Sequence, residues 1–273
     1  MSSFLSVLIE EESSSQAGTP LDYGGPLRQF LDAENRITLS GVDVLEWGDN
    51  DPDNVSTVFD VPGGARSPEF EAVSQNGLPG VNFQQPVGQT FLNRKLTASA
   101  SAVDDWWART GTQSLAFAGK LNRLTDTTFN TRNTIAEKGY RQSGGWQLTI
   151  DSSGTLAFEQ RRSDNSVWKM EVPGFYSVGD LVLGYMNYDG GNTTGSGFFR
   201  IFDGSDFITA GTISPGAVSG IGTDTLDEMT IGNSLDPLNA NFNAPFEGPL
   251  FGLWMTTEAV NTFDEGYLSR WIP

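Results

Sequence analysis

Two residue types are missing altogether: the 273-residue chain has no cysteine and no histidine. Without cysteine there is no disulfide framework, no thiolate metal ligand and no cysteine nucleophile. Without histidine there is no imidazole base near neutral pH, no imidazole zinc ligand and no serine–histidine triad. Hydrolysis on this chain would have to run on carboxylates. Positive charge is scarce as well, with 16 Lys and Arg against 34 Asp and Glu and a net charge of −18. Such a surface repels phosphate backbones and anionic headgroups, so neither nucleic acid nor a membrane surface is an expected partner. No apolar run approaches the roughly 20 residues of a membrane-spanning helix, and no membrane insertion is expected. The brief apolar run Phe4–Ile9 has no basic residue before it and Glu10, Glu11 and Glu12 after it, so it does not read as a secretory signal.

Turn formers are plentiful. The 32 glycines and 13 prolines suit many short strands joined by tight turns. A chain of this length can close one large all-β domain. Residues 1–27 read as an arm: the strand-like Phe4, Leu5, Val7, Leu8 and Ile9 precede an acidic, Ser-rich stretch and then glycines and prolines. Such composition buries too little apolar area to order itself, and an apolar strand of this kind is able to add to a sheet edge of a partner subunit.

Residues 28–273 read as strand after strand. Trp146, Leu148 and Ile150 alternate onto one face, and Asp151-Ser152-Ser153-Gly154 turns the chain into Thr155–Gln160. Other expected strands include Val42–Trp47, Val55–Val61, Ser114–Asn122, Val167–Val172, Leu181–Tyr188, Gly197–Phe202 and Leu250–Met255. One helix is expected near the end, capped by Thr256 or Thr257 with Glu258 in its first turn. Trp47, Trp146, Trp168, Trp254 and Trp271 sit on apolar faces and are expected in the core.

Several short motifs carry a resemblance. Leu31-Asp32-Ala33 with Ile37-Thr38-Leu39 and Trp47-Gly48-Asp49 is similar to the opening of laminin-G-like, concanavalin A-like modules. Asn76–Phe83, Ile135–Gly139, Gly145–Leu148, Tyr185–Gly190, Phe199–Gly204, Met229–Asn233 and Phe246–Gly248 follow in the order found in that family. The resemblance implies an all-β jelly-roll β-sandwich of two antiparallel sheets with a short C-terminal helix. It also implies a setting, since such modules recur in tailed-phage virion proteins and in bacterial surface proteins. The expected function is therefore a non-enzymatic virion surface protein, as capsid decoration or as a tail or fibre component. It would be localised on the particle, attached to other virion proteins by the arm, oligomeric there, and in contact with a host-surface glycan. The alternative is a carbohydrate-binding module or lectin of a bacterial surface protein. A carboxylate-based glycoside hydrolase comes third.

The residues themselves carry little catalytic pattern. Glycosidases of this fold place carboxylates at alternate positions of one strand, facing one cleft. Glu69 and Glu71 share a face without a third acid, and Asp227 and Glu228 point opposite ways. Asp49, Asp51 and Asp53, with Asp60 at the twelfth position, follow calcium-loop spacing, which makes Ca2+ a possible cofactor. Asn54 replaces the loop glycine and Pro52 stiffens it, so a polar turn is the competing reading. Asp104-Asp105-Trp106-Trp107 is the most unusual cluster. Its rings are able to stack a sugar while the carboxylates accept its hydroxyls, to serve a protein interface, or to pack locally under a loop.

Overall fold

The computed structural model describes residues 19–23, 27–51, 57–63, 65–85, 94–99, 112–124, 132–139, 145–162, 164, 166–189, 196–214, 228–234, 244–259 and 262–273. The strands in chain order are β1 (Leu27–Asp32), β2 (Ile37–Ser40), β3 (Asp43–Gly48), β4 (Val58–Asp60), β5 (Glu69–Gln75) and β6 (Leu78–Asn82). Next come β7 (Leu96–Ala98), β8 (Thr112–Lys120), β9 (Arg132–Lys138), β10 (Trp146–Asp151), β11 (Leu156–Arg161) and β12 (Val167–Val172). The last are β13 (Leu181–Asp189), β14 (Ser196–Phe202), β15 (Phe207–Ala210), β16 (Thr212–Ser214), β17 (Met229–Ile231) and β18 (Pro249–Thr256). Helix α1 (Thr262–Leu268) and a 3-10 turn (Ser269–Trp271) follow.

Among the described residues the strands pair antiparallel throughout, with one isolated parallel bridge between Arg66 and Arg94, and they resolve into two sheets. In the first, β18 lies between β8 on one side and β1 with β6 on the other, and β13, β14 and β15 continue beyond β8. β5 pairs with β6 at the opposite margin. The second sheet runs β2-β3-β4-β7-β17-β9-β10-β11-β12-β16. A single pair, Asp43 with Glu69, links the two at one margin, and the chain passes directly from β15 to β16 at the other.

Strand register explains which side chains form the core. Across the second sheet Leu96, Ile231, Ala136, Leu148, Phe158 and Met170 are successive cross-strand partners, and all are fully buried between the sheets. One residue along each strand the row is polar, because alternate side chains take opposite faces. Thr38, Glu46, Asp60 and Thr97 begin this outer row. Thr230, Glu137, Gln147, Glu159 and Lys169 complete it. The expected alternation of Trp146, Leu148 and Ile150 is therefore the local sample of a pattern that crosses the whole sheet.

The first sheet has a second apolar layer on its outer face. Phe30, Ala116, Ala118, Leu183, Phe251 and Trp254 are covered there by Tyr267, Leu268 and Trp271. Small Ala116 and Ala118 leave room for the helical segment, and the rings interlock edge to face: Trp254–Tyr267 at 5.6 Å and Tyr267–Trp271 at 5.7 Å. The Tyr267 hydroxyl donates to Asp32 Oδ2 at 2.5 Å, tying the first strand to the last helix. All five expected core tryptophans are buried, with Trp254 and Trp271 in this outer layer rather than between the sheets.

The helix starts later than its sequence signals imply. Thr256 is held in β18 opposite Ser114 and Leu27, so it cannot leave the sheet to cap a helix. Its hydroxyl instead accepts the Glu258 N–H at 2.9 Å and donates to the Glu258 carbonyl at 2.7 Å, closing a turn. No helix among the described residues is long and apolar enough to cross a membrane.

Candidate functional site

The Asp104-Asp105-Trp106-Trp107 cluster and the arm residues Phe4, Leu5, Val7, Leu8 and Ile9 lie outside the described residues, as does Asp53. Of the calcium-spaced acids, Asp49 and Asp51 are fully buried. Asp49 Oδ1 accepts the amides of Phe30 at 2.8 Å and Asp51 at 2.9 Å, while Oδ2 is buried without a hydrogen-bond partner. Burial pushes the Asp49 carboxyl up to about 7, against the lowering effect of the two amides. Asp60 does not join this pair. The Asp49 amide bonds the Thr57 carbonyl, and Asp60 pairs with Glu46 three ladder positions further on, about 10 Å away at strand rise. The chain enters β4 instead of curling back as a calcium loop does, so the twelfth-position acid is carried out onto the sheet. Among the described residues no group of three or more acidic, His or Cys side chains is placed to hold a metal ion.

The Glu69–Glu71 pair is also spoken for. Glu69 is bonded by Arg94, and Glu71 accepts Ser74 Oγ at 2.6 Å and Asn82 Nδ2 at 2.5 Å. Asp227 lies outside the described residues. On the outer row of the second sheet, Glu159 is held by Gln147 Nε2 at 2.6 Å, Arg132 Nη1 at 3.1 Å and Lys169 Nζ at 4.0 Å. Glu137 accepts Ser234 Oγ at 2.8 Å. Both glutamates, with Gln147 and Thr230, are buried, so the middle of this row is shielded from solvent, whereas Thr38, Glu46 and Asp60 at its start are exposed.

An open cleft lies elsewhere, at one end of the β13–β14 pair. It has a volume of about 480 Å³ and is lined by the Phe175–Leu181 turn, by Phe202-Asp203-Gly204 and by Ile272 and Pro273. β13 begins one residue after Asp180, and β14 ends one residue before Asp203. Since the two strands are antiparallel neighbours, both carboxylates arrive at the same end. Each carboxylate shapes its own turn. Asp180 Oδ2 accepts the Ser177 amide at 2.7 Å. Asp203 Oδ1 accepts the amides of Ser205 and Asp206, both at 2.9 Å, and Ser205 Oγ at 2.8 Å. These bonds, led by the Asp206 amide, hold the Asp203 carboxyl below its ordinary value. One oxygen of each acid, Asp180 Oδ1 and Asp203 Oδ2, lies outside these bonds.

Aromatic groups complete the walls. Phe175 is half-buried and meets Tyr176 edge to face at 4.9 Å, and Phe202 packs on Phe207 at 5.6 Å. The Tyr176 hydroxyl is buried with no hydrogen-bond partner, and burial raises its pKa far above the usual phenol range. It is a neutral O–H group with nothing to donate to. Gly154 fixes the position of the turn from beneath. It accepts from the amides of Phe175 at 3.0 Å and Tyr176 at 2.9 Å, and a Cβ on it would sit 1.9 Å from the Tyr176 carbonyl oxygen.

No protein-family model and no curated protein matches the chain. Solved structures do. The botulinum neurotoxin serotype D binding domain aligns over 89% of this chain with a TM-score of 0.52 and 9% identity, and the serotype G domain with 0.49 and 10%. The chain spans about half the length of these two domains, 51% and 50% respectively. A Ruminococcus gnavus IT-sialidase CBM40, solved with α2,6 sialyllactose, aligns over 69% of this chain and 95% of its own, with a TM-score of 0.41 and 13% identity. The fold is an all-β jelly-roll β-sandwich with a short C-terminal helix.

Sequence reasoning did not point to Phe175, Asp180, Phe202 or Asp203 as one site. Asp203-Gly204 is recognisable as a turn, and Ser177-Val178-Gly179-Asp180 has turn composition. Nothing in either segment announces that they adjoin.

Proposed function

We propose that the chain is a non-enzymatic carbohydrate-binding module and that the Phe175–Asp180–Asp203 cleft receives the sugar. One observation carries the reading: a partly exposed aromatic ring stands beside two carboxylates that each keep an oxygen free of turn bonds. A pyranose presents an apolar face of C–H groups and an equatorial belt of hydroxyl donors. The ring takes the face, and the carboxylates take the hydroxyls through charge-assisted bonds. The volume is within the range of small-ligand pockets. The fold alone does not supply this reading, because jelly-roll sandwiches host lectins, enzymes and structural modules alike.

Glycan-array binding of the whole chain, repeated with Phe175→Ala and with Asp180→Ala, tests it. Loss of signal in both variants is the expected result. Binding that survives both variants but disappears in Trp106→Ala or Trp107→Ala would move the site to that cluster. No glycan binding by the unsubstituted chain would end the reading.

Display on a particle is the setting that the opening motif suggests. In this proposal residues 1–27 attach the module to other virion proteins of a tailed phage. Removal of residues 1–20 then abolishes incorporation into particles, and unchanged incorporation sinks the arm's role.

A further inference from the structure

We propose that the cleft selects carbohydrates carrying a free, protonated amine over neutral or acidic ones; the inference rests on the glycan reading of the same cleft. Among the described residues two carboxylates line the cleft and no lysine or arginine does. The basic residue nearest to Ile272 in sequence, Arg270, is turned to Asp32, 3.5 Å from Oδ2, and to Glu34. Lys120 pairs with Leu181 but stands on β8, on the far side of β13 from Asp203, and is not part of the lining. Arg200 on β14 is engaged by Glu265 at 2.7 Å.

A neutral sugar leaves both ionised acids short of a counter-charge. An ammonium group held in the cleft supplies one, along with three donors for the unengaged carboxylate oxygens of its walls. The aromatic wall favours the same ligand, since a cation is attracted to the face of a neighbouring ring. Sugars bearing a carboxylate meet the opposite field. They approach a chain of net charge −18 and then two wall carboxylates without a compensating cation.

The test is titration calorimetry of the whole chain at low salt, at a pH where both the amine and the aspartates are charged. The probes are a β-1,4-linked glucosamine disaccharide, its fully N-acetylated counterpart and sialyllactose. The expected result is at least tenfold tighter binding of the free amine than of the acetamide, with no heat from sialyllactose. The preference should shrink in higher salt and vanish in the Asp180→Asn, Asp203→Asn double variant, whose amide oxygens still accept the turn amides. A matched thermal midpoint confirms that the variant is folded. Equal or tighter binding of the acetylated sugar overturns the amine selection and leaves the glycan reading standing. Silence from all three probes, together with an empty glycan array, brings down the glycan reading itself. A preference that survives in the double variant assigns the attraction to the net charge of the protein and overturns the proposal.

Discussion

Replacing Asp49 by Asn changes one oxygen for an NH2 group in a place sealed from water. The native carboxyl keeps Oδ1 on the Phe30 and Asp51 amides, and its Oδ2 has no donor. Asn keeps the accepting oxygen and removes the titration. The sign follows from linkage. With a folded-state value of about 7 against 3.8 unfolded, the contribution of Asp49 to stability is fully present below pH 3.8 and is lost as pH rises through 7. Integrated across that window, the loss is about 4 kcal/mol, most of it between pH 5 and pH 8. The variant should therefore gain about 3 kcal/mol relative to the unsubstituted chain on going from pH 5 to pH 8. Urea unfolding of both proteins at the two pH values, with equal slopes, measures this directly. Parallel stability–pH curves would refute the assignment. Calcium extends the experiment. An ion held by Asp49, Asp51 and Asp53 raises the stability of the unsubstituted chain at pH 8 and leaves Asp49→Asn unmoved, whereas equal responses dismiss the loop as a calcium site.

Further substitutions probe other joints. Trp254→Ala removes the ring around which Phe30 and Tyr267 pack and should lower stability by about 3–5 kcal/mol, read as a reduced urea midpoint. Glu247→Ala should cost about 1–3 kcal/mol, because the buried Gln85 amide, 3.2 Å from the carboxylate, loses its acceptor while the partly exposed Arg123 can turn to solvent; a thermal midpoint within a degree of the original would contradict this. Gly248→Ala should fail to fold or unfold at much lower denaturant, since its Cβ would lie 2.0 Å from the Lys120 carbonyl oxygen. Tyr267→Phe should cost about 1–3 kcal/mol by leaving Asp32 Oδ2 short of its buried donor, and the loss should be absent in an Asp32→Asn background if the hydroxyl acts through that carboxylate.

The sequence was most readable where one strand carries its own evidence. Trp146, Leu148 and Ile150 alternate within five residues, and Asp151 supplies the hairpin by accepting the amides of Ser153 at 2.8 Å and Thr155 at 2.9 Å. β5 was not legible as a strand, because Glu69, Glu71, Ser74 and Gln75 give it almost no apolar alternation. It is a strand by virtue of pairing with β6. The helix start was misplaced for the converse reason, since local capping residues at Thr256 and Thr257 lost to a ladder with partners far away in sequence. Asp49 is spaced like a metal ligand, but spacing cannot report that β1 lies across its Oδ1. The cleft was beyond reach because its walls come from three segments, near 175, 203 and 272, each of which is an ordinary turn or terminus on its own.

β18 occupies an interior position in its sheet, with β8 on one flank and β1 and β6 on the other, yet it leaves the ribosome after every other described strand. At about 5–20 residues per second, some ten to forty seconds separate the synthesis of Asp32 from that of Pro249. For that interval β1 has no strand partner, and β6 and β8, paired on their other sides with β5 and β13, each keep one edge open; that edge of β8 offers an unpaired row of backbone donors and acceptors with apolar residues on both faces. Nascent chains on one polysome are thus exposed to mutual strand exchange for most of their synthesis. The excess of 34 acidic over 16 basic residues gives those chains a like charge throughout, so mutual repulsion guards the open sheet until its missing strand arrives.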